Sequence, residues 1–262
     1  MFLPTLTSTL LLLLLSTTAP PTLAASCTRA DLLATAANFV AAVSAGNVSA
    51  AFPAASYREN NKASSLKSAA VFSAPLKIDL SRSTADTVAC ASYTLIISSS
   101  GSKPYVLATQ LRHADGDAAT TTLVDTIAAT TGSLFFNAPK TLGYIRNESW
   151  AEIAEAARPP RDLLKKVGDA YLDMWTDKNA ADSIPWGTDC ERVEGSQYTR
   201  PCGGSLPRGG SAKNNGDRRY VIDEVVGSVD VLCSFDALGS LPDSHEIRVE
   251  GGKVKYVHTV TV

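Results

Sequence analysis

Residues 243–262 contain two of the chain's three histidines, His245 and His258, on either side of Gly251-Gly252. A Gly-Gly pair supplies the positive φ angles of a two-residue hairpin turn. Folded there, Val249 faces Val254, Ile247 faces Tyr256, and His245 faces His258. Side chains alternate along a strand, so these residues share one apolar face while Glu246, Arg248, Glu250, Lys253 and Lys255 point the other way. Directly opposed residues have Cβ atoms about 4.5–5.5 Å apart. Two imidazoles that close resist double protonation, so one titrates low and serves as a base near neutral pH. Asp243, two positions before His245 on the same face, is placed to orient a ring. The reading is acid–base chemistry with His245 as base or acid, His258 as its partner and Asp243 as orienter. Tyr220 and Tyr256 are expected to offer hydroxyls to a ligand, and Glu194 a pocket carboxylate. The plainer alternative makes both imidazoles hydrogen-bonded wall residues of a filled core.

Other chemistries find less support. Two histidines and Asp243 could share an ion, but zinc needs three protein ligands with a supporting shell. The sequence shows no further His or Cys cluster, so no metal is expected. Cys233 falls in the apolar strand pattern Val229, Val231, Cys233, Phe235 and reads as a buried thiol, since nothing beside it promotes a thiolate. Gly-x-Ser-x-Gly, His-Glu-x-x-His, the phosphate-binding glycine loop and the dinucleotide fingerprint are all missing from the sequence, so no cofactor is expected. The Arg82/Asp86 and Arg219/Asp223 pairs, each four residues apart, read as turn-capping carboxylates with their partners.

The elements that must position these groups begin after an N-terminal segment of secretory type. A hydrophobic run from Leu10 to Leu15 is followed by Thr22-Leu23-Ala24-Ala25-Ser26, which reads as a signal peptide over residues 1–25, cleaved after Ala24 or Ala25. The run is shorter than the about 20 residues that span a bilayer, so a secreted protein, off the membrane after cleavage, is expected. Five cysteines fit that compartment. Cys190 and Cys202 can close a short ring, Cys27 can tether the chain start to Cys90, and Asn47 and Asn147 head glycosylation sequons. With 24 Lys and Arg against 26 Asp and Glu, neither a nucleic acid nor a strongly charged partner is indicated. Oligomeric state is left open.

Helical spacing of Leu32, Ala36, Phe39, Val40 and Val43 follows a Thr28 cap and ends at Gly46-Asn47. Strand-like segments then occupy residues 76–83, 88–99, 104–113 and 118–127, and a short helix is expected over 150–157 before Pro159-Pro160. The order then restarts: a helix carrying Leu163, Leu164, Val167, Ala170, Tyr171, Met174 and Trp175, followed by strands at 219–222 and 228–235 and the closing hairpin. Arg82/Asp86 overlays Arg219/Asp223, and Arg112 and Arg248 each precede a hairpin turn by three residues. Thr109 and Thr122 then stand where the later half has His245 and His258. This points to a duplicated α+β unit: a first domain over residues 26–147, a linker with a short helix over 148–160, and a second domain over 161–262.

A helix ending in Gly-Asn followed by antiparallel strands resembles the nuclear-transport-factor-2-like cone, whose members include SnoaL-like polyketide cyclases and scytalone dehydratase. Cys27-Thr28-Arg29, Tyr57-Arg58-Glu59-Asn60-Asn61, Pro185-Trp186-Gly187-Thr188, Arg218 to Glu224, Leu241 to Glu246 and Tyr256-Val257-His258-Thr259 resemble a family of secreted fungal proteins described as a domain of unknown function. The resemblance implies two tandem cone-like domains, each a long helix packed on a curved antiparallel sheet, with a hydrophobic pocket inside the curl. It supplies no catalytic residues. The functional expectation is a cofactor-free lyase, isomerase or cyclase acting on a small apolar metabolite of fungal secondary metabolism. The alternative is a non-catalytic secreted binder or effector-like interaction module.

Overall fold

The structure, a computed structural model, describes Met1 and residues 27–262. The expected signal peptide and its cleavage site lie outside the described residues.

Helix α1 (Arg29–Ala45) starts where Thr28 accepts the Asp31 amide on its side chain, and stops at Gly46, whose φ of 67° returns its amide to Ala42 and Val43. Helix α2 (Val48–Ala51) follows at once. Strands β1 (Ser56–Glu59), β2 (Lys62–Ser64), β3 (Leu80–Asp86), β4 (Ala91–Ser98), β5 (Tyr105–Ala114) and β6 (Asp117–Thr130) build the first sheet in the order β2-β1-β6-β5-β4-β3. Helix α3 (Ala138–Ile145), capped by Asn137, precedes helices α4 (Arg161–Asp173) and α5 (Ala180–Ser183). Strands β7 (Trp186–Glu194), β8 (Gln197–Thr199), β9 (Gly216–Asp223), β10 (Ser228–Phe235), β11 (Leu241–Glu250) and β12 (Lys253–Thr261) build the second sheet in the order β8-β7-β12-β11-β10-β9. The strand order of the second sheet repeats that of the first, position for position.

Two expectations need correction, and one helix was not expected. Each sheet is mixed rather than antiparallel, because β1 runs parallel to β6 and β7 parallel to β12. The segment 150–157 is helical only as a single 3₁₀ turn at Glu155–Ala157. Trp150 instead sits between Arg82, whose guanidinium carbon lies 3.7 Å from the ring centre, and the stacked ring of Tyr256 at 5.8 Å; these tertiary contacts outweigh local helix preference. Helix α3 went unread because Pro139 and Gly143 masked it, although Pro in the first turn suits a helix.

Apolar residues divide by strand face. Helix α1 contacts β3, β4 and β6, burying Phe39 and Val43 with Ile96, Leu107, Leu111 and Val124. Helix α4 contacts β9, β10 and β11, burying Leu164, Val167 and Tyr171 with Val229, Val231, Ile247 and Val249. The opposite faces meet each other, with Tyr93, Leu95, Ile97 and Ile127 of the first sheet packed in one cluster with Val193, Val221, Leu232 and Val260 of the second. The chain is therefore layered helix, sheet, sheet, helix, and Glu246 and Arg248, which point away from the apolar face of the hairpin, are 0% and 1% exposed between the sheets.

A reciprocal pair of aspartates ties the sheets together. Asp86 accepts the Val88 and Ala89 amides of its own turn and, across the interface, the Ile222 amide at 2.9 Å and both terminal nitrogens of Arg161. Asp223 accepts the Val225 amide and, across the interface, the Ala85 amide at 2.9 Å and Arg29. Both arginines are the first residues of their helices. The turn-capping reading of these aspartates describes half of what they do. Disulfides join Cys27 to Cys90 and Cys190 to Cys202, and Cys233 is a buried free thiol.

Candidate functional site

The closing hairpin turns at Gly251-Gly252 and pairs Val249 with Val254, but a bulge follows at Lys255. One extra residue on β12 shifts everything beyond it to the other face. Arg248 then pairs with Tyr256, Ile247 with Val257, Glu246 with His258, and His245 with Thr259. The two imidazoles do not share a face: His245 lies on the side of α4, and His258 between the sheets. The same register makes Asp125, not Thr122, the first-sheet counterpart of His258, since Gln110 pairs with Asp125 where Glu246 pairs with His258.

His245 lines a pocket on the α4 side of the second sheet, beside Trp175 just past the end of that helix. A row of paired residues crosses the floor: Glu194 on β7 is opposite Thr259 on β12, which is opposite His245 on β11. Strand spacing puts Glu194 and His245 about 10 Å apart. The next row brings Asp243 beside Thr261. The cavity, about 210 Å³, has apolar walls from Trp175, Phe235, Leu238 and Pro207, with Leu134 and Phe135 reaching in from the first half of the chain. That reach is fixed by two bonds, the Ser196 amide to the Phe135 carbonyl at 2.9 Å and the Thr141 hydroxyl to the Gly195 carbonyl at 2.7 Å. A few polar groups in apolar walls is the usual make-up of a small-molecule site, and the volume is below the about 300–1,000 Å³ of drug-sized pockets. The corresponding face of the first sheet is filled, with Phe39 packed edge-on against Phe52 and Phe72.

The polar groups of the pocket are held in place. Asp243 Oδ1 accepts the Ser244 amide and the Thr261 hydroxyl, both at 2.9 Å. Its Oδ2 lies 2.9 Å from His245 Nε2, but the contact lacks hydrogen-bond alignment, and neither nitrogen of His245 has another partner. The Tyr171 hydroxyl donates to Glu194 at 3.0 Å. Burial, and then the neighbouring Glu194 carboxylate, hold that phenol's pKa well above its ordinary value, so it stays protonated. Arg192 is buried beside Glu194, its Nε 3.6 Å from the carboxylate. Among the described residues, one ligand atom each from Cys233, Asp243 and His245 lie within 4.8 Å of one another.

Of the six residues expected to act or bind, His245, Asp243 and Glu194 line one pocket. Tyr220 is held away from it, its hydroxyl donating to Asp169 of α4 at 2.5 Å. Tyr256 stacks on Trp150 between the sheets and the linker. His258 is enclosed by carboxylates, with Nε2 2.8 Å from Glu148 and Nδ1 3.1 Å from Glu246, while Arg82 donates to Glu246 at 2.5 Å. Asn47 and Asn147 are exposed. Sequence reasoning missed Arg192, Thr259, Thr261 and Phe135 as lining groups, and Tyr171 as the buried residue that holds Glu194 from behind. Tyr171 and Trp175 were visible as helix-core residues, but their approach to β11 depends on packing that periodicity does not encode.

The His258 enclosure has a pH signature. Burial pushes its pKa down, but the Glu148 and Glu246 carboxylates outweigh burial and the adjacent Arg82 and raise it to about 9. A folded-state pKa above the unfolded value of about 6.5 adds stability that is complete below pH 6.5 and is lost as pH rises through 9. The difference in unfolding midpoint between the wild type and His258→Gln is therefore expected to shrink steadily from pH 6.5 to pH 9.5; a constant difference would show that His258 is not protonated in the fold.

A family model described as a domain of unknown function, DUF8021, matches residues 157–261. The match spans α4 and the whole second sheet, and so every pocket residue except Leu134 and Phe135. No curated protein matches the chain.

Proposed function

We propose that the pocket of the second half binds a small, largely apolar molecule and turns it over by acid–base chemistry without a cofactor, as a lyase, isomerase or cyclase. The observation that carries the reading is the placement of His245, backed by Asp243, across a floor of Thr259 from the Tyr171–Glu194 pair. His245 takes a proton from carbon or oxygen on one side of the ligand. Asp243 stabilises the imidazolium that results, and the Glu194 carboxylate, held from behind by the Tyr171 hydroxyl, accepts a hydrogen bond from a ligand hydroxyl at the far side. Positioned proton transfer of this kind contributes about 10²–10⁴-fold. The sheet–helix enclosure supports a cone-like pocket in each half, with the first filled by its own phenylalanines. The two disulfides and the absence of a long apolar helix among the described residues support a secreted protein, and the resemblance to secreted fungal proteins supports a place in fungal secondary metabolism.

The second reading, a carrier or interaction module, is favoured by the volume of the pocket and its mostly apolar walls. Incubation with a panel of small apolar ketones, aldehydes and hydroxy compounds separates the two. Chromatography follows conversion, and quenching of Trp175 fluorescence, checked against Trp175→Phe, follows binding. The enzyme reading expects conversion of at least one compound class that binds; saturable binding with no conversion of any bound compound supports the carrier, and no binding removes both.

A further inference from the structure

The floor of the pocket holds an arrangement that acid–base catalysis does not require. Cys233 on β10 is directly opposite Asp243 on β11, and His245 is two residues further along the same face. All three are 2% exposed or less, and their ligand atoms converge within 4.8 Å. A carboxylate oxygen and an imidazole nitrogen 2.9 Å apart ordinarily form a hydrogen bond. Here Asp243 Oδ2 and His245 Nε2 approach that closely without the required alignment, and both remain unsatisfied in the core. Buried polar atoms left without a partner are rare and costly. Ligand atoms gathered in one buried spot without hydrogen-bond partners are what a cation site presents.

We infer that Cys233, Asp243 and His245 form a three-ligand site for a borderline-soft divalent cation of the zinc class, with its remaining coordination position toward the pocket. A thiol and an imidazole together select against Mg²⁺ and Ca²⁺, which take oxygen ligands, and fit Zn²⁺ or Co²⁺. The supporting shell exists for the carboxylate, because Asp243 Oδ1 is fixed by the Ser244 amide and the Thr261 hydroxyl. Asp243 and His245 line the pocket, whereas Cys233 is sealed behind them in the α4-side core. On coordination the Cys233 thiol releases its proton to solvent and binds as thiolate. The inference does not rest on the acid–base reading. It adds a condition to it, because an ion on Nε2 takes the lone pair that His245 would use as a base, so metal-bound and base-competent states exclude each other.

The probe is Co²⁺, titrated into the chelator-treated full secreted chain and then displaced by Zn²⁺. One equivalent of Co²⁺ is expected to bind with a thiolate-to-cobalt charge-transfer band, and Zn²⁺ is expected to abolish that band. Cys233→Ser, shown folded by circular dichroism, is expected to lose the band and to bind Zn²⁺ weaker by more than the about 10–100-fold that loss of a supporting residue costs. If that variant does not fold, His245→Gln replaces it, with the loss of affinity as the readout. Absence of saturable binding to the wild type, or a charge-transfer band unchanged in the folded variant, overturns the site. Conversion of a pocket substrate by metal-free protein is measured separately, so failure of this inference and failure of the acid–base reading give different results.

Discussion

Asp223→Ala is expected to destabilise the protein by about 3–5 kcal/mol, the range for removing one partner of a buried ion pair. The carboxylate is 1% exposed and holds Arg29, 23% exposed, from the other half of the chain. It also accepts the Ala85 amide across the interface and the Val225 amide in its own turn. Deleting it leaves a half-buried guanidinium without this anion and two amides without acceptors, each orphan costing about 1–3 kcal/mol before relaxation. Asp86→Ala is expected to behave alike, since that residue makes the mirrored contacts to Arg161 and Ile222. Urea unfolding of each variant checks this, with a lower midpoint at unchanged slope as the expected result. Asp182→Ala is the control: its pair with Arg208 is 67% and 53% exposed, and exposed pairs contribute about 0–1 kcal/mol. A loss below 1 kcal/mol at both Asp86 and Asp223 would mean that the reciprocal aspartates do not help to hold the two sheets together.

His245→Gln is expected to lower turnover of a pocket substrate by about 10²–10⁴-fold while leaving its binding within a few-fold of wild type. Gln is polar and of similar reach but takes no proton at neutral pH, so the loss falls on kcat rather than KM. His258→Gln is expected to leave turnover near wild type, because that ring is enclosed by Glu148 and Glu246 on the opposite face of the sheet. Loss of turnover in the His258 variant with an unchanged His245 variant would move the chemistry to the wrong side of β11 and β12. Kinetics on both variants, after thermal unfolding shows them folded, decides the matter.

What the sequence revealed follows from which physical rules are local. Thr28 and Gly46 mark the ends of α1 because capping is decided within a few residues. The repeat is visible because Arg82/Asp86 and Arg219/Asp223 sit at matching turns, and the shared strand order of the two sheets agrees with it. Alternation places His245 on the apolar side of β11 correctly. It misplaces His258, because a single bulge at Lys255 carries no composition signal and inverts every residue after it. Alternation also sets Glu246 and Arg248 on the face away from the apolar stripe, without saying what covers that face. Glu246 and Arg248 look like surface residues by type, and only the first sheet, with Arg82 bonded to Glu246, and the segment around Ala151, which accepts from Arg248, make them interior. Cys233 reads correctly as a buried thiol, but its approach to Asp243 and His245, and that of Phe135 to the pocket, go unseen because these neighbours in space are distant in sequence.

The central claim is that small molecules bind at His245 and not at His258. The direct measurement is side-chain NMR of the three histidines, His113, His245 and His258, during titration with a compound from the panel that quenches Trp175. The account predicts that the His245 ring resonances move saturably with the ligand while those of His113 and His258 stay in place; movement of His258 with a stationary His245 would contradict it.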